Sequence, residues 1–81
     1  MIGKIFKARC SLTGWALLGQ ESTDLGPLSM KCFDRVLVIS NNEYTNKYNF
    51  KRERWIFLHF KTGMISYQFK EYWRLHFEEC Q

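Results

Sequence analysis

The sequence predicts an α+β fold: a small, hairpin-rich antiparallel β-sheet of four to five strands with a C-terminal amphipathic helix, in a single domain over residues 1–81. Three patterns carry this. Residues 52–69 set two runs rich in aromatic and β-branched side chains around Lys61-Thr62-Gly63, a connection in which Gly63 can take positive φ. Residues 4–11 alternate Phe6, Ala8 and Cys10 with Lys7, Arg9 and Ser11, the period of a half-buried strand. Beyond residue 69 the period changes: Phe69, Tyr72, Trp73, His76, Phe77 and Cys80 fall on one helical stripe, which predicts a helix over 70–80.

Taken in order, the strand at 4–11 runs into Leu12-Thr13-Gly14, which looks like the later Lys61-Thr62-Gly63. The same bulged turn there would set Cys10 opposite Trp15, Ala8 opposite Leu17 and Phe6 opposite Gly19, giving a second strand over 15–19. Residues 20–29 are polar and include Asp24-Leu25-Gly26-Pro27, a turn signal, so a loop is expected and mobility belongs there. A third strand over 34–40 holds Val36-Leu37-Val38-Ile39, apolar on both faces and suited to a central place. Leu28, Cys32, Phe33, Val36 and Leu37 also fit a helix opened by Pro27, so strand is favoured only from Asp34 onward. Asn41-Asn42 and the Asn- and Tyr-rich stretch 43–50 form a loop or, in the favoured reading, the tip of a long hairpin joining 34–40 to 53–60.

A type I turn with a glycine bulge over residues 60–63 fixes the register of the hairpin 53–60 and 64–69. His59 then opposes Met64, Leu58 opposes Ile65, Phe57 opposes Ser66, Ile56 opposes Tyr67 and Trp55 opposes Gln68. The face with Ile56, Leu58, Ile65, Tyr67 and Phe69 is assigned to the core. The opposite face, with Trp55, Phe57, His59 and Met64, is too apolar for solvent, so a second layer or a partner must cover it. The helix carries its acids late, at Glu78 and Glu79, against the helix dipole, so its last turn is expected to fray. The expected core is Phe6, Ala8, Trp15, Leu17, Val36, Val38, Ile56, Leu58, Ile65, Tyr67, Phe69, Trp73 and Phe77.

Composition bounds the function. At 46% hydrophobic and 17% aromatic the chain is too apolar for a disordered segment, and 81 residues leave no room for a second core. The net charge of +4 is uneven: residues 1–19 carry Lys4, Lys7 and Arg9 with no acid, and residues 47–61 carry five cations against Glu53. Such a balance suits an anionic partner, although solubility alone also explains it. Cys10, Cys32 and Cys80 are odd in number and widely spaced, which gives neither a disulfide framework nor a Cys-x-x-Cys metal signature and predicts a reducing compartment. The N-terminal residues lack the apolar run of a signal peptide and no run is long enough to span a membrane, so a soluble cytoplasmic protein is expected, with no membrane partner.

Chemistry-bearing groups are sparse. His76 and Cys80 stand one helical turn apart, but a second ligand pair is missing, so no metal and no cofactor are expected. Cys10 or Cys32 with His59 or His76 is the one nucleophile and base combination, and no spacing brings them together; the expectation is that the protein is not an enzyme. Lys51, Arg52 and Arg54 interleave with Tyr48, Phe50, Trp55 and Phe57, the composition that grips a phosphate backbone while stacking single-stranded bases. The plainer reading is that the rings fill a core and the cations solvate a strand end.

Many aromatics, little catalytic equipment and an over-apolar hairpin face point instead to a non-enzymatic binding protein that acts sterically, as inhibitor or adaptor, on a protein partner. The residues expected to bind the partner are Trp55, Phe57, His59, Met64, Arg52, Arg54, Lys51 and Tyr48. A second copy of the chain could use the same face, and single-stranded or structured nucleic acid is the alternative partner. In size and composition the chain resembles the small host-takeover proteins with which bacteriophages block host or defence machinery, a likeness of general character that no motif carries.

Overall fold

The chain pairs its strands mostly with their sequence neighbours, in a computed structural model that describes residues 1–20 and 25–80. Among these residues it forms β1 (Ile5–Ala8), β2 (Leu12–Trp15), β3 (Leu28–Met30), β4 (Arg35–Thr45), β5 (Lys51–His59), β6 (Ile65–Phe69), a 3-10 turn (Lys70–Tyr72), α1 (Trp73–His76) and β7 (Phe77–Glu79). Five strands make one antiparallel sheet in the order β6-β5-β4-β1-β7, and β2 and β3 pair separately. The expected class, a small antiparallel α+β fold, is what forms.

The hairpin of β5 and β6 has the register read from its turn: Trp55 faces Gln68, Ile56 faces Tyr67, Phe57 faces Ser66 and Leu58 faces Ile65. Gly63 takes φ 71° and donates its N–H to the His59 carbonyl at 2.8 Å, while His59 N–H reaches the Met64 carbonyl at 2.9 Å. The longer hairpin of β4 and β5 also forms, pairing Val36 with His59 through to Thr45 with Lys51. A register shift between Val38 and Ser40 leaves Ile39 as an extra residue, so Val36 and Val38 point inward while Ser40, Asn42 and Tyr44 share the outer face.

The faces of the β5–β6 hairpin are the reverse of the expected assignment. Phe57, His59 and Ser66 are buried on the inner face, joined by partly buried Trp55 and Met64. The second layer that covers them comes from the same chain: Trp15 sets its ring edge-on to Phe57 at 5.7 Å, Trp73 does so at 5.7 Å, and Leu28 and Met30 of β3 complete the core. Ser66 donates its hydroxyl to the Ala16 carbonyl, and the small side chain lets that backbone approach. Of the residues placed in the core on this face, Ile56 is buried as expected, whereas Ile65 is exposed and Leu58, Tyr67 and Phe69 are only half-buried.

The first half of the chain departs further. The hairpin around Leu12-Thr13-Gly14 does not form: β1 pairs with β4 and β7, and β2 pairs with β3. The expected strand over 15–19 is replaced by one at Leu12–Trp15, followed by a bridge from Leu17 to Ser66. The loop expected over 20–29 gives way to a strand at its end, where Leu28 is fully buried; residues 21–24 lie outside the described residues. The helical alternative over 28–37 is not adopted. Helix 70–80 stops at His76, because Phe77–Glu79 extends as an edge strand on β1, where Lys7 pairs with Glu78 and Lys4 with Glu79.

The contact between β2 and the segment leading into β3 is the tightest backbone approach at any glycine. Gly26 donates its N–H to the Gly14 carbonyl at 2.9 Å, and a Cβ on Gly26 would lie 1.9 Å from the Trp15 carbonyl oxygen. Neither backbone can yield without lifting Trp15 off Phe57. Gly26→Ala is therefore expected to destabilise the protein by about 3 kcal/mol, the upper end for overpacked sites. Gly3→Ala is the comparison: nothing lies within 4 Å of a Cβ there, so only the strain of its φ of 86°, about 1 kcal/mol, opposes the change. Urea unfolding followed by tryptophan fluorescence measures both.

Candidate functional site

The cations expected to bind a partner are positioned by strand parity. Arg52 and Arg54 share the outer face of β5, where cross-strand neighbours on β4 and β6 supply rings. The Arg52 guanidinium lies 3.7 Å from the Phe69 ring centroid and 5.3 Å from that of Tyr72, and donates from Nε and a terminal nitrogen to the same Glu71 carboxylate oxygen. Arg54 is only 4% exposed; its guanidinium sits between Tyr44 at 4.7 Å and Tyr67 at 4.4 Å, and its Nε donates to Asn42 Oδ1 at 2.9 Å. These are internal clamps. Their planar cations already occupy the ring faces that a nucleobase would need.

Arg52 and Glu71 shift each other's titration in the expected senses. The Glu71 hydrogen bond raises Arg52, and Glu71 is held below the usual carboxylate range by its own backbone N–H and by Arg52. Charge is compensated elsewhere too. Glu43 and Glu53 face each other across β4 and β5, which by itself is unfavourable; Lys51 sits 3.8 Å from Glu43 and Lys70 3.0 Å from Glu53. Among the described residues every Asp and Glu has a Lys or Arg at 3.8 Å or closer. The basic patch read from residues 47–61 is thereby largely neutralised where it stands.

Of the hairpin face expected to meet a partner, Phe57 is fully buried and His59 is 1% exposed, so both belong to the core. Trp55 and Met64 are partly buried against the same cluster. The exposed apolar patch that motivated a homodimer through these four residues is therefore not formed. Instead, His59 builds a buried polar knot. Its Nε2 lies 3.0 Å from Asp34 Oδ2 and its Nδ1 2.8 Å from the Thr62 hydroxyl, which also accepts the Met64 N–H. A carboxylate only accepts, so Nε2 carries the proton. The knot ties the turn before β4 to the turn after β5.

Tyr48 fares differently. It occupies the tip of the β4–β5 hairpin with Phe50, and the two rings are 68% and 67% exposed. The tip is built by Asn46: its side-chain oxygen accepts the N–H groups of Tyr48 at 2.9 Å and Phe50 at 3.0 Å, and its backbone exchanges hydrogen bonds with Asn49 and Phe50. Asn49 takes φ 64°, a conformation asparagine tolerates better than most residues. Lys47 lies over the Tyr48 ring at 5.1 Å. Two large rings thus project from a turn whose backbone is fixed by hydrogen bonds. Sequence reasoning singled out Tyr48 but gave Phe50 no separate role; the Asn46 to Phe50 spacing of a capped tip was the available signal.

His76 and Cys80 are not on one helix, since α1 ends at His76, whose ring packs edge-on to Trp15 at 5.4 Å. Cys10 and Cys32 are exposed, and Cys32 donates to the Arg9 carbonyl. Among the described residues no group of three metal-ligating side chains converges, and no helix is long and apolar enough to cross a membrane. No protein family matches the chain, and comparison with curated proteins and with solved structures gives no match.

Two expectations follow. Partial burial alone would raise Asp34, but hydrogen bonds from the Lys31 N–H, His59 and Lys61 outweigh it and hold the carboxyl below its ordinary 3.8. A folded-state value below the unfolded one means that this contribution is complete above about pH 3.8 and is lost as pH falls through the folded value. Asp34→Asn is expected to lower stability at pH 7 by about 2 kcal/mol and to flatten the acid limb of the stability curve below that point. Urea titrations across the acid range read both effects. Arg54→Ala is expected to cost about 3 kcal/mol, because it removes a desolvated cation held between two rings; Arg54→Lys, lacking the planar face, restores less than half. Thermal unfolding of the two variants tests this.

Proposed function

We propose that this protein is a non-enzymatic binding protein that acts sterically on a protein partner, with the tip of the β4–β5 hairpin as its principal anchor. The observation that carries this reading is the Asn46-capped tip, which presents Tyr48 and Phe50 two-thirds exposed. Rigid aromatics lose little conformational entropy on binding and dominate interface energetics. Lys47 lies beside them, over the Tyr48 ring, which favours an apolar cleft with an acidic group at its rim on the partner. The outer face of the sheet adds a shoulder of partly exposed Ile5, Ile39 and Ile65.

Nucleic acid is the rival occupant of the same tip, since two rings and a lysine also suit stacked bases. The disposition of the cations argues against it. A phosphate track needs charges in a row, whereas Arg52 and Arg54 are clamped by their own rings and Lys51, Lys61 and Lys70 lie against carboxylates.

The test uses the tagged full chain as bait in lysate, with and without nuclease, in parallel with Tyr48→Ala and Phe50→Ala. Both substitutions fall at exposed positions and are expected to leave thermal stability within about 0.5 kcal/mol of wild type. Each is expected to weaken the partner by about thirtyfold, the effect of losing a hot-spot ring of roughly 2 kcal/mol. A protein retained after nuclease and lost with either ring supports the proposal. Recovery of nucleic acid alone, with affinity that falls steeply with salt, would replace it by the rival.

A further inference from the structure

The segments leaving β1 and β3 run antiparallel to each other, and their register is fixed at both ends. Ala8 donates its N–H to the Asp34 carbonyl at 2.8 Å, and Phe33 donates to the Ala8 carbonyl at 2.9 Å. Further along, Leu12 pairs with Met30. Counting inward from these pairs sets Cys10 opposite Cys32, and both are exposed free cysteines. Directly opposed residues in antiparallel chains have Cα atoms about 4.5–5.5 Å apart, inside the span of roughly 4.4–6.8 Å that a disulfide bridges.

A side-chain contact leads to the same placement. Cys32 Sγ lies 3.3 Å from the Arg9 carbonyl oxygen, to which it donates. That oxygen belongs to the peptide unit of Cys10, whose planar geometry holds it about 2.8 Å from Cys10 Cα, so the Cys32 sulfur lies within roughly 6 Å of that Cα. The turn that presents Cys32 is closed by the Asp34 N–H on the Lys31 carbonyl at 3.0 Å, with Phe33 at φ 71°, an unfavourable conformation for an aromatic residue. Strain of this kind persists only where the surrounding contacts impose it. Cys80 is no partner for either thiol, since its N–H donates to the Ile5 carbonyl at the far end of β1. Exposed Arg9 and Lys31 stand next to the two cysteines in the chain and favour the approach of an anionic reagent.

We propose that Cys10 and Cys32 form a reversible disulfide site, oxidised by an anionic low-molecular-weight disulfide of the glutathione type. One cysteine thiolate attacks the small disulfide, giving a mixed disulfide and releasing one small thiolate. The other cysteine thiolate attacks the protein-side sulfur of that bond; the Cys10–Cys32 bond forms and the second small thiolate leaves. The two protons lost by the cysteines end on the two released thiols, and the two electrons reduce the small disulfide. The new bond closes a loop that holds β2 and β3, and so staples the strands carrying Trp15, Leu28 and Met30 over Phe57. The site uses none of the hairpin-tip residues, so it stands or falls independently of the partner reading.

The full chain carrying Cys80→Ser, which leaves this pair alone, tests it by titration with glutathione disulfide at fixed millimolar glutathione, followed by acid quenching and mass spectrometry. The expected product is a monomer lighter by two hydrogens that retains no glutathione, with Cys10 and Cys32 joined in its peptide map. Cys10→Ser and Cys32→Ser in the same background, both at exposed positions, are each expected to keep one glutathione and to need at least about tenfold more of the disulfide for half-modification. Hydrogen exchange reads the staple: the Gly26 amide, which donates to the Gly14 carbonyl at 2.9 Å inside the closed loop, is expected to exchange at least about tenfold more slowly after oxidation. A stable glutathione adduct in place of the internal bond, a disulfide between separate chains, or a pair no easier to oxidise than the single cysteines would overturn the site. Unchanged Gly26 exchange in the oxidised monomer would remove the staple.

Discussion

Phe57 lies fully buried with the rings of Trp15, Trp73 and Phe77 around it at centroid distances of 5.7, 5.7 and 5.2 Å, so that β2, α1 and β7 all converge on one side chain of the central hairpin. Edge-to-face pairs of this kind contribute roughly 0.5–1.5 kcal/mol each beyond the area they bury. More importantly, they are the reason the small sheet and the helix have a place to dock. Without Phe57 pointing inward, Trp15 and Trp73 lose a shared neighbour. The close approach of Gly26 to Trp15 and the hydrogen bond from Ser66 to the Ala16 carbonyl then serve to hold that lid in register.

A strand has two faces, and once Phe57 is inside, everything on β5 follows by alternation. His59 must be buried, so it needs partners, and Asp34 and Thr62 provide them. Arg52 and Arg54 must point outward, onto a face that no second layer of this short chain covers. They make that face tolerable: each guanidinium lies over rings that would otherwise be bare, and long stems of this kind cover apolar surface. The ladder of Tyr44, Arg54 and Tyr67 is in this sense a cover for the outer sheet, made from the residues that looked most like a ligand-binding patch.

What was legible in the sequence follows the range of the interactions. The register of β5 on β6 is set by a four-residue turn and was readable pair by pair, and the long hairpin with its asparagine tip was readable for the same reason. Which face of that hairpin turns inward is decided by packing against residues 15, 73 and 77, and both faces carry enough apolar groups to mislead. Parity held the clue, because the face bearing Ile56 and Leu58 also bears Arg52 and Arg54. The turn at Leu12-Thr13-Gly14 is the opposite case. Gly14 does take φ 74°, but β1 prefers the non-local partners β4 and β7. At the C-terminus, Glu78 and Glu79 oppose a helix dipole and instead meet Lys7 and Lys4 on β1, so the misplaced acids marked the end of the helix. Tyr48 was legible as a candidate because a ring in an asparagine-rich turn has no core to enter. The meeting of Cys10 with Cys32 was not, because it depends on Leu12 pairing with Met30, a partner outside the local hairpin that the turn at residues 12–14 suggested.

The distribution of charge bears on how such a molecule would recognise anything. A net charge of +4 suggests a field that steers anionic partners from a distance, yet the described carboxylates each lie against a cation, several pairs within or beside the sheet. Paired charges separated by a few ångströms produce fields that decay faster than single ones, and salt at physiological strength screens what is left beyond about 8 Å. Long-range attraction is therefore weak, and selectivity must come from contact. Contact requires side chains whose shape is fixed before the partner arrives, since ordering them afterwards costs about 0.5–1.5 kcal/mol apiece. The hairpin tip, whose backbone is fixed by N–H donation from Tyr48 and Phe50 to the Asn46 side-chain oxygen, comes nearest to that requirement. A small domain that has spent most of its aromatics on its own core leaves, among the described residues, the rings of Phe33, Tyr48, Phe50, Phe60 and Tyr72 exposed, and of these Tyr48 and Phe50 share one hydrogen-bonded turn.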